Sequence, residues 1–219
     1  MRQREYGQYC GLARAMDLVG ERWALLIIRD LLVRPRRYSD LHAGLPGIPT
    51  NVLSTRLKEL EAAGVIERQL LPAPERGVVY ALTERGHALD DAVLRLARWG
   101  AAGLGDPRPN EVVTADSLVM ALRSTFRPDA AVGLDATWQL EAGDIVLHAQ
   151  VQDGELNADV GPAGTKPDLV IAVGDAEGPP PLKALMTGEL SPDEAVGGGW
   201  VRLTGRRRLL KTFAEVFRI

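Results

Sequence analysis

A single cysteine, Cys10, stands in 219 residues, so the chain can form neither an intrachain disulfide nor a multi-thiolate metal site. Histidine is equally scarce: His42, His87 and His148 are far apart and lack the spacing of metal ligands. There is no glycine-rich phosphate loop and no nucleophile in a triad motif, and the acidic neighbours Asp90-Asp91 and Asp193-Glu194 would diverge on a helix, as ordinary surface charge does. Neither enzyme chemistry nor a cofactor is expected. Long apolar runs are missing too. The longest, Trp23 to Ile28, falls far short of the roughly 20 residues of a membrane span, and MRQREYGQYC lacks the apolar centre of a signal peptide. A cytoplasmic protein without a membrane partner is the expectation.

What is present is ordinary in bulk and uneven along the chain. Hydrophobic residues make up 46% and charged residues 25%, the balance of a soluble globular protein. The net charge of −3 hides an asymmetry: residues 1–105 carry 15 Lys/Arg against 12 Asp/Glu, and residues 106–219 carry 11 against 17. Such a split suggests two domains with different partners. The likeliest boundary is GLGDPRPNE, residues 103–111, where two glycines and two prolines make helix continuation costly.

The first half reads as helix, helix, turn, helix, hairpin. Leu12, Ala15, Met16 and Val19 share a helical face that Gly20 ends, and a nearly all-apolar helix is predicted from about Glu21 to Val33. A short helix fits Ser39 to Ala43 with Ser39 as N-cap, and the turn LPGIPT leads to another helix over Asn51 to Ala63. Leu53, Leu57 and Leu60 stripe one face of this last helix, opposite Asn51, Ser54, Thr55 and Lys58, and Gly64 closes it as a left-handed cap. VIERQLL and VVYALT are two strands joined by PAPERG, and Thr83 starts one long helix through Trp99. This order is the winged helix-turn-helix plan.

In that plan the second helix of the motif enters the major groove, which gives Thr50, Asn51, Ser54, Thr55 and Lys58 to base edges and phosphate. The basic turn Arg34, Arg36 and Arg37, with Ser39 beside it, lies where a DNA backbone would pass, and Arg76 in the wing is placed to reach a minor groove or a phosphate. A solvated polar face is the competing reading of each. For Arg56 an internal salt bridge competes evenly with phosphate binding.

The stretch CGLARAMDLVGERWALLIIRDLLVRPRRYSDLHAGLPGIPTNVLSTRLKELEAAGVIERQ, followed by VVYALTERGHAL and LARWG, resembles the HxlR branch of the MarR-like bacterial regulators over about residues 9–100. The resemblance implies a dimeric DNA-binding transcriptional regulator; the alternative is a lipid-carrier or protein-interaction module whose winged helix does not bind DNA. The first helices and the helix ending at Trp99 would then form the homodimer surface, and the dimer would bind a palindromic site on double-stranded DNA. Some members of that family sense electrophiles through an N-terminal cysteine. Cys10 stands near that position, although burial as a small apolar residue is the preferred reading of it.

The second half has a different grammar: the helix SLVMALRSTF, then strands near ATWQLE, IVLHAQV, ELNADV and DLVIAV, then LKALMTG, SPDEAV, a GGGWVRL strand and the terminal helix RRLLKTFAEVF. This is α+β. KPDLVIAVGD, LKALMTGELSPDEAV and WVRLTGRRRLLKTFAEVF resemble the sterol carrier protein type two fold over about residues 112–219, which implies an apolar cavity for a small apolar ligand. Trp138, Leu185, Met186, Trp200, Leu210 and Phe213 are the candidate lining residues, and a plain packed core accounts for each equally well. Arg206, Arg207 and Arg208 could bind an acidic ligand group or DNA, although a solvated helix start is the preferred reading of them.

Overall fold

The computed structural model describes residues 5–174 and 180–219, which divide into two compact units, 1–93 and 94–219. Seven helices and strands build the first unit, and an eighth element begins there. Helix α1 (Gly11–Val19) and helix α2 (Ala24–Val33) come first. Helix α2 starts three residues later than the apolar pattern predicts, because Trp23 takes a left-handed backbone (φ 79°) that a helix cannot include. Its apolar girth is then explained by burial: Ile27, Ile28 and Leu31 are inaccessible, and α2 packs on the wing.

Helix α3 (Tyr38–Gly44) and helix α4 (Thr50–Ala62) form the helix-turn-helix pair. Arg37, not Ser39, occupies the N-cap position of α3; Asp40 accepts from the Arg37 amide (3.1 Å), and the Ser39 hydroxyl donates to Asp40 instead. A carboxylate at the third helical position can satisfy the N-cap backbone amide, a donor that no intrahelical bond reaches. Pro49 fills the N-cap position of α4, and Leu53, Leu57 and Leu60 are buried as their spacing requires. Gly64 follows with φ 67°, the left-handed backbone that lets the chain reverse into the wing.

Strands β1 (Ile66–Leu71) and β2 (Gly77–Leu82) pair antiparallel, from Ile66 opposite Leu82 to Leu71 opposite Gly77. Arg36 extends the ladder by exchanging backbone hydrogen bonds with Tyr80 (2.9 and 2.7 Å), which ties the basic turn to the wing.

The single helix predicted from Thr83 is two. Helix α5 (Glu84–His87) is capped by the Thr83 hydroxyl, and helix α6 (Asp90–Ala101) begins anew at Asp90-Asp91, two acids that suit a helix N-terminus. Tertiary contact forces the break. Gly86 lies so close to the Val65 carbonyl and Leu82 that a Cβ would collide with both, and Thr83 is held by the Gly64 carbonyl (2.7 Å). The division between units falls within α6, ahead of the Gly/Pro segment 103–111.

In the second unit helix α7 (Ala115–Thr125) precedes strands β3 (Asp135–Ala142), β4 (Ile145–Gln152), β5 (Glu155–Val160) and β6 (Leu169–Val173). Helices α8 (Pro181–Thr187) and α9 (Pro192–Gly197), strand β7 (Val201–Gly205) and helix α10 (Leu209–Val216) follow. The sheet order is β5-β4-β3-β6-β7, antiparallel except for the parallel pair β3 and β6. Helix α7 packs on β4 and β5, and α10 on β6. Glu194 is more than surface charge: it accepts from the Ser191 hydroxyl and amide in a capping box that starts α9, and these bonds hold its carboxyl below the usual range.

Candidate nucleic-acid interface

Helix α4 presents Thr50, Asn51 and Lys58 to solvent, while Ser54 and Thr55 are half-buried. Two of these polar side chains are turned inward. The Thr55 hydroxyl donates to the Asn51 carbonyl one turn back (2.8 Å), and the Ser54 hydroxyl donates to the Tyr38 hydroxyl (3.3 Å). Tyr38 in turn donates to the Thr50 carbonyl (2.9 Å). A side chain of α3 thus grips the first turn of α4, where the exposed side chains stand. Sequence reading missed Tyr38; the signal was an amphipathic ring at the start of the first helix of the motif.

The basic turn divides in the same way. Arg34 is exposed and Arg36 is half-buried beside the wing. Arg37 directs its guanidinium to the wing turn, donating to the carbonyls of Glu75 (2.9 Å) and Arg76 (3.3 Å). Gly77 makes this approach feasible: its φ of 152° suits glycine, and a Cβ there would overlap the Arg37 guanidinium. Arg76 remains exposed at the wing tip. Ser39 is also exposed. Arg56, left open between two roles, forms ion pairs with Glu59 and with Glu21 (3.2 Å).

Between α4 and the wing lies an open cleft of about 210 Å³ lined by Tyr38, Ser54, Lys58, Glu61, Arg68 and Tyr80. An ion pair from Arg68 to Glu61 (2.8 Å) closes one side of it. Glu61 partly offsets the positive charge of Lys58 and Arg68 there, which weakens the cleft as a site for a small anion.

Residues 18–106 match the HxlR-like helix-turn-helix family. Over 86 residues the chain is 38% identical to the uncharacterized HTH-type transcriptional regulator YvaP of Bacillus subtilis, a match spanning 39% of this chain and 80% of YvaP. This chain belongs to the HxlR-like family of transcriptional regulators. A second relative, the HTH-type transcriptional regulator YodB of the same organism, is 40% identical over 85 residues, covering 39% of this chain and 76% of its own length. The solved structure of quinone-bound YodB is 34% identical and covers 42% of this chain and 96% of that one, with a TM-score of 0.36. The family match ends at residue 106, so it speaks for the helix-turn-helix and the wing.

Outside the interface, Cys10 is exposed, contrary to the expected burial. It sits at the N-cap position of α1, where the amides of Ala13 and Leu12 hold its thiol below the ordinary range, although neither closes a cap hydrogen bond. In the second unit Trp138, Leu185, Met186, Leu210 and Phe213 are buried, and Trp200 is half-buried. The Trp138, Phe213 and Phe217 rings meet at centroid distances of 4.7 to 6.1 Å, and the Trp138 indole donates to the Leu209 carbonyl (3.1 Å). These side chains fill one another's space. Among the described residues no His/Cys/Asp/Glu group could hold a metal ion, and no helix is long and apolar enough to cross a membrane.

Proposed function

We propose that the chain acts as a homodimer that binds a palindromic operator through α4, with the wing and the basic turn on the flanking backbone. The observation that carries this reading is the exposed Thr50-Asn51-Lys58 face of a helix whose first turn is fixed by Tyr38. Asn51 offers the amide that pairs with adenine, and Arg34 and Arg76 offer phosphate contacts that set register without reading sequence. Dimerisation is supported by large apolar side chains left in water: Tyr6, Tyr9 and Leu12 in the first unit, Leu96 and Trp99 on α6. A monomer gains nothing from exposing these, whereas a dimer buries them and sets two recognition helices at half-sites about 34–36 Å apart.

The second unit is read as a sterol-carrier-like sensor of a small apolar molecule. Its support is the apolar layer of Trp138, Leu185, Met186, Leu210 and Phe213 between sheet and helices; a ligand enters that layer only by displacing side chains that now pack against one another. No catalytic step is assigned. Selection of bound duplexes from a random library, followed by footprinting, tests the regulator reading: a palindrome protected in two half-sites one helical turn apart is expected. Uniform affinity for all sequences would overturn it.

A further inference from the structure

The acidic half of the chain is not acidic throughout. Residues 106–201 hold 5 Lys/Arg against 16 Asp/Glu, whereas residues 202–219 hold 6 against 1. The cations gather where β7 turns into α10. Arg206 pairs with Asp168 (3.2 Å), which pins the turn to the start of β6. Arg207, Arg208 and Lys211 follow, all exposed. Among the described residues none pairs with any of these three.

The backbone of this turn is already helical: Leu209, Leu210 and Lys211 donate to the carbonyls of Arg206, Arg207 and Arg208 (2.9 to 3.2 Å). At that winding Arg208 and Lys211 are one turn apart and Arg207 lies beside them, so three like charges share a face. The arrangement costs stability, since like charges at this spacing repel. Leu209 and Leu210 are buried beneath them, which keeps the cations in place instead of letting the turn relax. The nearest acid along α10, Glu215, lies a further turn beyond Lys211.

We propose that Arg207, Arg208 and Lys211 form a second phosphate-binding surface that engages duplex DNA beside the operator, an inference that rests on the DNA-binding reading of the first unit. Five of the six cations after residue 201 are arginine, whose planar fork matches phosphate oxygens. The strongly negative remainder of this half repels DNA, so the basic turn is the face by which the second unit tolerates it. Tethering to a DNA-bound first unit supplies the polyanion at high effective concentration, and three modest contacts then suffice.

The test uses the full chain and a long duplex, in operator and random sequence, titrated across salt. Arg207→Ala/Arg208→Ala removes two phosphate contacts, and the slope of log affinity against log salt should fall by about 1.8, at roughly 0.9 per contact. The advantage of the wild type should then shrink roughly twelvefold between 50 and 200 mM salt. Arg207→Lys/Arg208→Lys should restore the slope, which separates lost charge from a damaged turn. A reduced slope on random duplex upholds the assignment even where no operator preference exists. Equal slopes for wild type and alanine variant overturn it, even where Asn51→Ala shows that α4 reads an operator. Equal DNA slopes with loss of binding to phosphatidylserine vesicles, or of salt-sensitive self-association, would overturn it in favour of a lipid surface or a second copy of the chain.

Discussion

Replacing Arg37 with alanine separates two roles that the basic turn could give it. If Arg37 meets a phosphate, its loss lowers the salt slope of DNA binding by about 0.9 and leaves the free protein unchanged. The structure points elsewhere, because the guanidinium spans two carbonyls of the wing turn, Glu75 and Arg76. One bond is of ordinary length and the other is long, and both face water, so the pair together contributes about 1 kcal/mol, within the usual net range for a single hydrogen bond. That corresponds to roughly a fivefold shift in the local opening equilibrium of the wing tip. Amide exchange at Glu75, Arg76 and Gly77 in the free protein should therefore accelerate by about fivefold in Arg37→Ala, with amides of α2 unaffected. Arg37→Lys should recover only part of the protection, since an ammonium cannot bridge both carbonyls as a planar fork does. Unchanged exchange at the wing tip, together with a salt slope lowered by one contact, would refute the clamp and return Arg37 to the DNA backbone.

Further outcomes follow from the same geometry. Tyr38→Phe keeps the ring and removes the hydroxyl between Thr50 and Ser54; stability in urea should fall by about 1 kcal/mol, and operator affinity should fall with it. Asn51→Ala should cost about 1–3 kcal/mol on operator and little on random duplex, whereas Arg34→Ala should weaken both alike; equal losses for the two variants on both duplexes would sink the division between base and backbone contacts. Trp138→Ala empties the centre of the second unit and strands the Leu209 carbonyl, so thermal unfolding should show a loss of about 3–5 kcal/mol. Because the thiol of Cys10 is held below its ordinary pKa, the thiolate persists to lower pH, and iodoacetamide alkylation should reach half its plateau rate at a lower pH than for free cysteine titrated alongside.

Legibility in the sequence followed the range of the interaction that decides each feature. The stripe Leu53-Leu57-Leu60, the cap at Gly64 and the strand pair around PAPERG depend on neighbours, and all stand where their spacing put them. Breaking the helix after Thr83 depends on Gly86 meeting Val65, a contact no local pattern encodes. The arginines of the basic turn look alike in sequence; that Arg37 faces the wing is settled by a partner some 38 residues away. Cys10 was misjudged for a related reason, since its exposure depends on whether anything packs over α1. The capping box Ser191-x-x-Glu194 was readable and was passed over as surface charge.

The parallel pairing of β3 with β6 bears on the order in which the protein takes shape. Trp138 lies opposite Leu169, so closing that pair waits until β4 and β5 have been made and folded back, whereas the recognition helix and its neighbours rely on contacts between segments close in sequence. Loops of that span slow folding, and the ribosome delivers the helix-turn-helix first. During synthesis the helix-turn-helix is therefore complete while β3 is still an unpaired edge exposing Trp138 to a crowded cell. A pause in translation between β5 and β6 would prolong that exposure, which makes this interval the point in the life of the chain at which chaperone capture or aggregation competes most strongly with folding.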